Sequence, residues 1–331
     1  MRRGKRRATS ADVARIAGVS RTTVSYVLNR TPGQTISPAT QKRVREAAEQ
    51  LGYIPNVSGR SLRGGTSDVV LLAVPHFPHG INLALLQGAM AQHLARIGKV
   101  MVTWLEEAGS LRETLSHITP AAIIAPASMR APERKLALSL DIPLIDAFAP
   151  DFAGGVGFRS LIAKTQVNHL VERGHTTLAY TAPSEPEWKT FVQGRLDALR
   201  LAAVAAGAST VASIDLGRPQ HEDPDRVAAV LANVLEQGVT GVACHNDVHA
   251  AQLLEACRRL GVSVPDRLAL IGVNDDPLSV FLSPALTTVG TSPDRFAYAL
   301  VAECAAALEW EGFDPSEPEE DYVRVIMRET T

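Results

Sequence analysis

From residue 69 onward the chain alternates short apolar runs with amphipathic stretches, and that alternation leaves few folds open. Runs at 69–74, 100–105, 121–125 and 143–146 have strand length, and helical spacing marks the stretches near 81–97, 111–118 and 132–140. Short apolar strands separated by helices imply a parallel sheet covered on both faces. The unit then repeats. A helix over 161–173 is stopped by Gly174, and a strand at 178–181 and a long helix over 187–206 follow. Strands at 211–216 and 241–245 flank a helix near 225–237. A helix over 247–260, strands at 268–273 and 287–290, a helix over 293–310 and a last strand at 322–327 complete the pattern. Residues 156–158 read as a strand end, and Gly154-Gly155-Val156-Gly157 as a loop before it. The expectation is two doubly wound α/β lobes with several chain crossings between them. In such sheets ligands sit beyond the carboxyl ends of the strands.

The first 65 residues are of another kind. Thr9 or Ser10 can cap a short helix with Asp12 in its first turn, where the helix dipole favours an anion. Val13, Ile16 and Ala17 share one face at helical spacing. Gly18 can supply the positive φ of a sharp turn. Ser20 then caps a second helix with Val24, Val27 and Leu28 buried. Its other face, Arg21, Thr22, Thr23, Ser25, Tyr26 and Asn29, is polar and contains no acid. Ser37-Pro38-Ala39-Thr40 opens a third helix, with Val44, Ala47, Ala48 and Leu51 on one side. Residues 56–63 have the makings of one or two further turns. A short polar helix held against another suits the major groove of DNA.

Charge supports that reading. Residues 1–65 hold 13 Lys+Arg and 3 Asp+Glu, a formal +10. The remaining 20 Lys+Arg and 32 Asp+Glu give −12, so the overall −2 hides a basic head on an acidic body. Such a head calls for a polyanionic partner.

The runs ADVARIAGVSRTTVSYVLN and ISPATQKRVREAAEQLGYIPN, with SLRGGTS after them, resemble the lactose/galactose repressor (LacI/GalR) family of bacterial transcription factors. In the second lobe, NHLVERGHTTLAYTAP and ACHNDVHAAQLLEACRRLGVSVPDRLALIGVNDDPLSVFLSPALTTVGTSP extend the resemblance. It implies a helix-turn-helix headpiece, a hinge helix and a core similar to periplasmic sugar-binding proteins. It implies a homodimer on a double-stranded, pseudo-palindromic operator, most often as a repressor. Arg21, Thr22 and Tyr26 match its base-reading positions. Thr9, Ser20, Thr23, Ser25 and Asn29 match phosphate-contacting positions. Asn56, Gly59 and Leu62 fall in the hinge, and Leu62 matches a leucine wedged into the central minor-groove step. Two departures stand out. Tyr26 replaces a common Arg, exchanging a bidentate guanine contact for one hydroxyl and a ring. Gly59 replaces a common Ala, at a cost of about 1 kcal/mol in a helix interior.

The implied domains are a basic arm at 1–8, the headpiece at 9–55, hinge and linker at 56–66, and the core at 67–331. Within the core one lobe takes 67–160 with 292–318, and the other takes 161–290 with 320–331. The family's effector cleft maps to His79, Ile81, Phe158, Phe191, Asn246, Asp247 and Asn274. Here the chain departs most. Phe191 stands where Arg is common, Asn274 where Asp is common, and Phe158-Arg159 replaces a common Asp-Asn pair. A sugar, a less polar or aromatic ligand, and no ligand at all remain open as effectors.

Other classes find less support. No Gly-x-Gly-x-x-Gly follows the first strand, so a dinucleotide enzyme is not indicated. His175 and His245 are isolated histidines at strand edges, where a structural role is the common one. Glu106-Glu107 and the acidic run 317–321 read as solvated faces, and no metal or cofactor is expected. Cys244, Cys257 and Cys304 are odd in number and lack metal-ligand spacing, which points to a reducing cytoplasm, and Cys257 and Cys304 fall in apolar helical stretches that imply buried thiols. The basic start MRRGKRRATS lacks the apolar run of a secretory signal, and no stretch approaches membrane-spanning length. Two alternatives remain beside the regulator. One is a cytoplasmic small-molecule-binding protein with a non-specifically nucleic-acid-binding head, and the other is an enzyme built on the two lobes.

Overall fold

The computed structural model describes residues 8–28, 34–53, 67–74, 83–106, 109–126, 129–147, 153–184, 189–217, 221–314, 316 and 323–331. The chain divides into two compact units, Met1–Ser67 and Asp68–Thr331. The expectations placed on the arm before residue 8, on Asn29, on the hinge with Asn56, Gly59 and Leu62, and on His79 and Ile81 lie outside the described residues.

In the first unit, helix α1 (Ser10–Ala17) opens on a reciprocal cap. The Asp12 N–H donates to Thr9 Oγ1 at 3.3 Å, and the Thr9 N–H donates to the Asp12 carboxylate at 2.9 Å. Two otherwise orphaned donors are satisfied this way. Gly18, at φ +64°, ends the helix in the left-handed conformation, and the Val19 N–H reaches Ala14 O at 3.0 Å. Helix α2 (Arg21–Leu28) starts after Ser20, whose Oγ accepts from the Thr23 N–H at 3.0 Å. Helix α3 (Pro38–Gln50) has Ser37 as cap and Pro38 at its first position, where the missing N–H costs nothing.

Val13, Ala14, Ala17, Val24, Val27, Val44, Ala47 and Ala48 form the core of this unit. Ile16 is a correction: it is 41% exposed, and Ala14 is buried in its place. At roughly 100° per residue the face centred between Val13, Ala14 and Ala17 leaves Ile16 at its edge. The residue type at 14 is small enough for close approach, which the periodicity alone did not weigh.

The second unit holds two sheets. The first has the order β2-β1-β3-β4. Its strands, all parallel, are β1 (Val69–Val74), β2 (Val100–Leu105), β3 (Ala122–Ala125) and β4 (Leu144–Asp146). Helices α4 (Leu83–Arg96), α5 (Leu111–His117) and α6 (Ala131–Ser139) connect them. The central strand β1 is buried on both faces, as its unbroken apolar run requires. Val70, Leu72 and Val74 pack on Leu86, Met90 and Leu94 of α4 and on Leu300, Val301 and Cys304 of α11 (Pro293–Ala307). Leu71 and Ala73 face the other way, onto Trp104, Leu111 and Ala137.

The second sheet has the order β10-β9-β8-β7-β5-β6. Its strands are β5 (Thr177–Pro183), β6 (Ser209–Leu216), β7 (Gly241–Ala243), β8 (Ala269–Val273), β9 (Thr288–Thr291) and β10 (Val323–Ile326). Only the edge strand β10 runs antiparallel, against β9. Ala179, Val242 and Leu270 meet helices α9 (Pro224–Glu236) and α10 (Asp247–Leu260) on one face. Leu178, Tyr180, Ala243 and Ile271 meet helices α7 (Ala153–Glu172) and α8 (Lys189–Ala205) on the other. The chain thus leaves the first sheet before α7, returns to it as α11 and ends back on the second sheet as β10.

The glycine run and the strand end expected at 154–158 are also corrected, because the structure places these residues in the first turns of α7. Interior glycines cost a helix about 1 kcal/mol each but do not forbid it. Extending an existing helix is far easier than nucleating one. Strand β7 ends at Ala243, earlier than expected, because Asn246 already caps α10.

Cys244, Cys257 and Cys304 are buried free thiols. Burial pushes Cys257 up to about 11 and Cys304 up to about 12. No helix among the described residues is long and apolar enough to cross a membrane.

Candidate functional site

Two regions carry the expected site residues. The first is the outer face of α2. Val24 and Val27 anchor that helix in the core, and this turns Ser20, Arg21 and Thr22 out to solvent, with Thr23, Ser25 and Tyr26 half-buried beside them. The hydroxyls of Ser20 and Thr23 lie 2.9 Å apart. One proton bridges them, and the second remains for an acceptor outside the protein. Thr9 is placed differently. Its hydroxyl donates to the Asp12 carboxylate at 2.7 Å and accepts from the Asp12 N–H. Thr9 therefore holds the start of α1 in place, and donating to a phosphate would require giving up the bond to Asp12. The neighbouring acids are offset by bases: Asp12 lies 3.8 Å from Arg15 and Glu46 lies 3.8 Å from Lys42.

The second region is the carboxyl edge of β5, β7 and β8. Asn246 and Asp247 come together at the start of α10, but neither side chain is idle. Asn246 Oδ1 accepts from the His249 N–H at 2.8 Å as the helix cap. Asp247, 3% exposed, accepts from the Thr288 hydroxyl at 2.5 Å, the Asp276 N–H at 2.6 Å and the Ser279 hydroxyl at 3.0 Å. It ties α10 to β9 and to the turn after β8. Burial pushes its carboxyl up to about 6, with those three hydrogen bonds opposing the shift. The carboxylate passes directly over Gly272, where a Cβ would lie 2.0 Å from Oδ1.

Asn274 follows β8 at φ +105°, and Asp275 continues at φ +53°. The Asn274 N–H donates to Val289 O at 2.9 Å, and Asp275 is held by Arg328 at 2.7 Å. Backbone of this kind costs about 1–3 kcal/mol and persists where its surroundings enforce it. Phe158 and Phe191 lie on α7 and α8, and their side chains are outside the description.

Four residues that no sequence motif marks are gathered at this edge. Tyr180 and Thr181 come from β5, Arg195 from α8 and His249 from α10. The Tyr180 hydroxyl lies 2.5 Å from His245 Nδ1. Thr181 Oγ1 accepts from the His245 N–H at 2.7 Å and lies 3.1 Å from His249 Nδ1. The two imidazoles are 5.7 Å apart. Burial and the nearby Arg195 charge hold both well below the usual histidine range, His249 down to about 3. Burial pushes the Tyr180 phenol up to about 12. A protonated phenol beside a neutral imidazole donates to Nδ1, which leaves the ring proton on Nε2. Arg195 is 5% exposed. Its one sequence signal is position: it stands four residues after Phe191, one turn along the same helix face.

Residues 9–56 match the model for bacterial regulatory proteins of the lacI family, and residues 167–331 match a periplasmic binding protein-like domain. The HTH-type transcriptional regulator GalR of Escherichia coli (strain K12) is 30% identical over 320 residues, covering 91% of this chain and 88% of the relative. The HTH-type transcriptional regulator MalR of Streptomyces coelicolor is 30% identical, covering 84% of each chain. A solved structure of the lac repressor dimer bound to operator and the anti-inducer ONPF superposes with a TM-score of 0.74 at 19% identity, over 98% of both chains.

Proposed function

The chain belongs to the lacI family of bacterial regulatory proteins, and from that membership we propose how this DNA-binding transcriptional regulator reads its site and is controlled. It acts in the cytoplasm as a homodimeric repressor on a pseudo-palindromic operator. The arrangement carrying this reading is α2, fixed by Val24 and Val27 with an acid-free polar face turned outward. Arg21, Thr22 and Tyr26 read base edges. Ser20, Thr23, Ser25 and Asn29 contact phosphates, with Thr9 supporting them through its cap. Asn56, Gly59 and Leu62 form the hinge that enters the minor groove. A small molecule at the edge formed by Asn246 and Asn274, with His79, Ile81, Phe158 and Phe191, shifts the population between operator-bound and released states. Asp247 supports that edge from beneath.

Selection of bound duplexes from a random pool at two salt concentrations tests the reading. It is expected to return one near-palindrome with a fixed half-site spacing at both. A pool without consensus, lost as salt rises, would mean that the head binds charge alone. Arg21→Ala is expected to relax the preference at one half-site position, at about 1–3 kcal/mol of discrimination, whereas Thr23→Ala weakens all sequences alike. Repeating the selection with each variant checks this, and an unaltered consensus for Arg21→Ala removes that residue from base reading. Leu62→Ala is expected to weaken operator binding at least about tenfold at unchanged thermal stability. Equal affinity would exclude the wedge.

A further inference from the structure

Arg195 presents an electrostatic problem that the described residues do not solve. Its guanidinium is buried, and Nε and Nη2 have no hydrogen-bond partner among the described residues. Arginine stays charged in any protein environment, so an uncompensated buried guanidinium is costly. Among the described residues no free anion faces it. Tyr180 keeps its proton, and His245 and His249 are neutral beside it. The Asp247 carboxylate is occupied by Thr288, Asp276 and Ser279. Glu222, which acts electrostatically on His249, is held by Arg226 at 2.5 Å and by the Gly217 N–H.

This cation stands near the carboxyl ends of β5 and β7, beside the start of α10, where both the open sheet edge and the helix dipole favour a negative guest. Burial first, and then its field, lower the proton affinity of both His245 and His249. No carboxylate among the described residues supplies the missing partner.

We propose that Arg195 anchors the anionic group, a phosphate or a carboxylate, of a small polar ligand bound at the carboxyl edge of β5 and β7. The inference rests on the reading of this edge as the effector site and gives the effector its chemical class. It also reassigns the cationic role. The position held by Phe191 has no charge, and Arg195 supplies one a helical turn further on. Neutral His249 and His245 suit the same guest, since neither adds a charge that competes with Arg195.

The test uses the full chain, with inorganic phosphate as one probe and gluconate as the other, in chloride buffers of matched ionic strength. Equilibrium dialysis is expected to show saturable binding of one of the two probes at one per chain. Which probe binds decides between phosphate and carboxylate. Arg195→Met is expected to weaken that binding at least about tenfold, the usual scale for a charge-assisted contact. In probe-free buffer Arg195→Met is expected to unfold at the same or a higher temperature than the wild type, because it removes an uncompensated charge. Arg195→Gln serves as the second variant if the methionine side chain does not pack. The proposal is overturned by no saturable binding of either probe, by unchanged binding in both variants, or by a lower unfolding temperature for both in probe-free buffer. Operator affinity measured in parallel separates this from the effector reading. Release by a neutral sugar, equal in wild type and Arg195→Met, would leave an effector site standing and remove the anion. Failure of every small molecule to bind or to alter operator affinity would remove both.

Discussion

Gly272→Ala is expected to destabilise the second unit by about 3–5 kcal/mol, among the largest effects available to a single methyl group here. The new Cβ would sit 2.0 Å from Asp247 Oδ1 and 3.1 Å from a Leu286 methyl. Neither neighbour has room to move. Leu286 is fully buried, and Oδ1 is fixed by the Thr288 hydroxyl at 2.5 Å. Displacing the carboxylate would also strand the donors of Asp276 and Ser279 in the interior. The urea midpoint of unfolding checks the magnitude. A double-mutant cycle checks the cause: with Asp247→Ala already in place, the added methyl is expected to cost less than about 1.5 kcal/mol. An undiminished cost in that background would place the strain in the β8 backbone and not in the carboxylate above it.

The second large effect is a dependence on pH. His245 and His249 are neutral in the folded protein, because burial and the Arg195 charge lower their proton affinity. In the unfolded chain they titrate near 6.5. A depressed folded value means that the stability they contribute is complete above about 6.5 and is lost as pH falls below it. His169 and His175 are lowered by burial and by Arg173, and act in the same direction. Asp247 opposes them. Its carboxyl, raised from 3.8 to about 6, binds a proton more tightly in the folded state. Its contribution is present at low pH and is lost as pH rises through about 6. The histidines outnumber it, so stability is expected to rise with pH between about 4.5 and 6.5. His249→Gln removes one of the protons taken up on unfolding. Its slope is expected to be shallower by about 1.4 kcal/mol per pH unit. Urea unfolding of both proteins across that range measures the difference, and parallel slopes would mean that His249 is already protonated in the fold.

Much of this architecture was legible residue by residue. The cap of Thr9 with Asp12, the turn at Gly18, the cap of Ser20 and the Ser37-Pro38 start act within a few positions of chain, and each appears in the structure as expected. The apolar runs of β1 and β8 announced strands buried on both faces, and the two-lobe α/β class follows from their repetition. The misplacements share a cause. Ile16 has the right spacing for burial, but the packing of α1 on α3 selects Ala14. Residues 154–158 have loop composition, but α7 extends back through them. Asp247 lies beside Asn246 in the chain and invites the same role, but β9 and the turn after β8 claim both of its oxygens.

The sequence by itself determined the elements, the α/β class, the basic head and the family, because caps, periodicity and charge are local properties. Only the tertiary structure decided which polar groups are spent on the protein and which are left over. Arg195 looks like any surface arginine on a helix until α8 is packed on the second sheet. Burial then strips its water while no carboxylate among the described residues replaces it. Asp247 looks like a ligand contact until Thr288, some forty residues further along the chain, is brought onto it. Hydrogen-bond satisfaction and desolvation depend on every element that surrounds a group, and those surroundings exist only once the chain has folded.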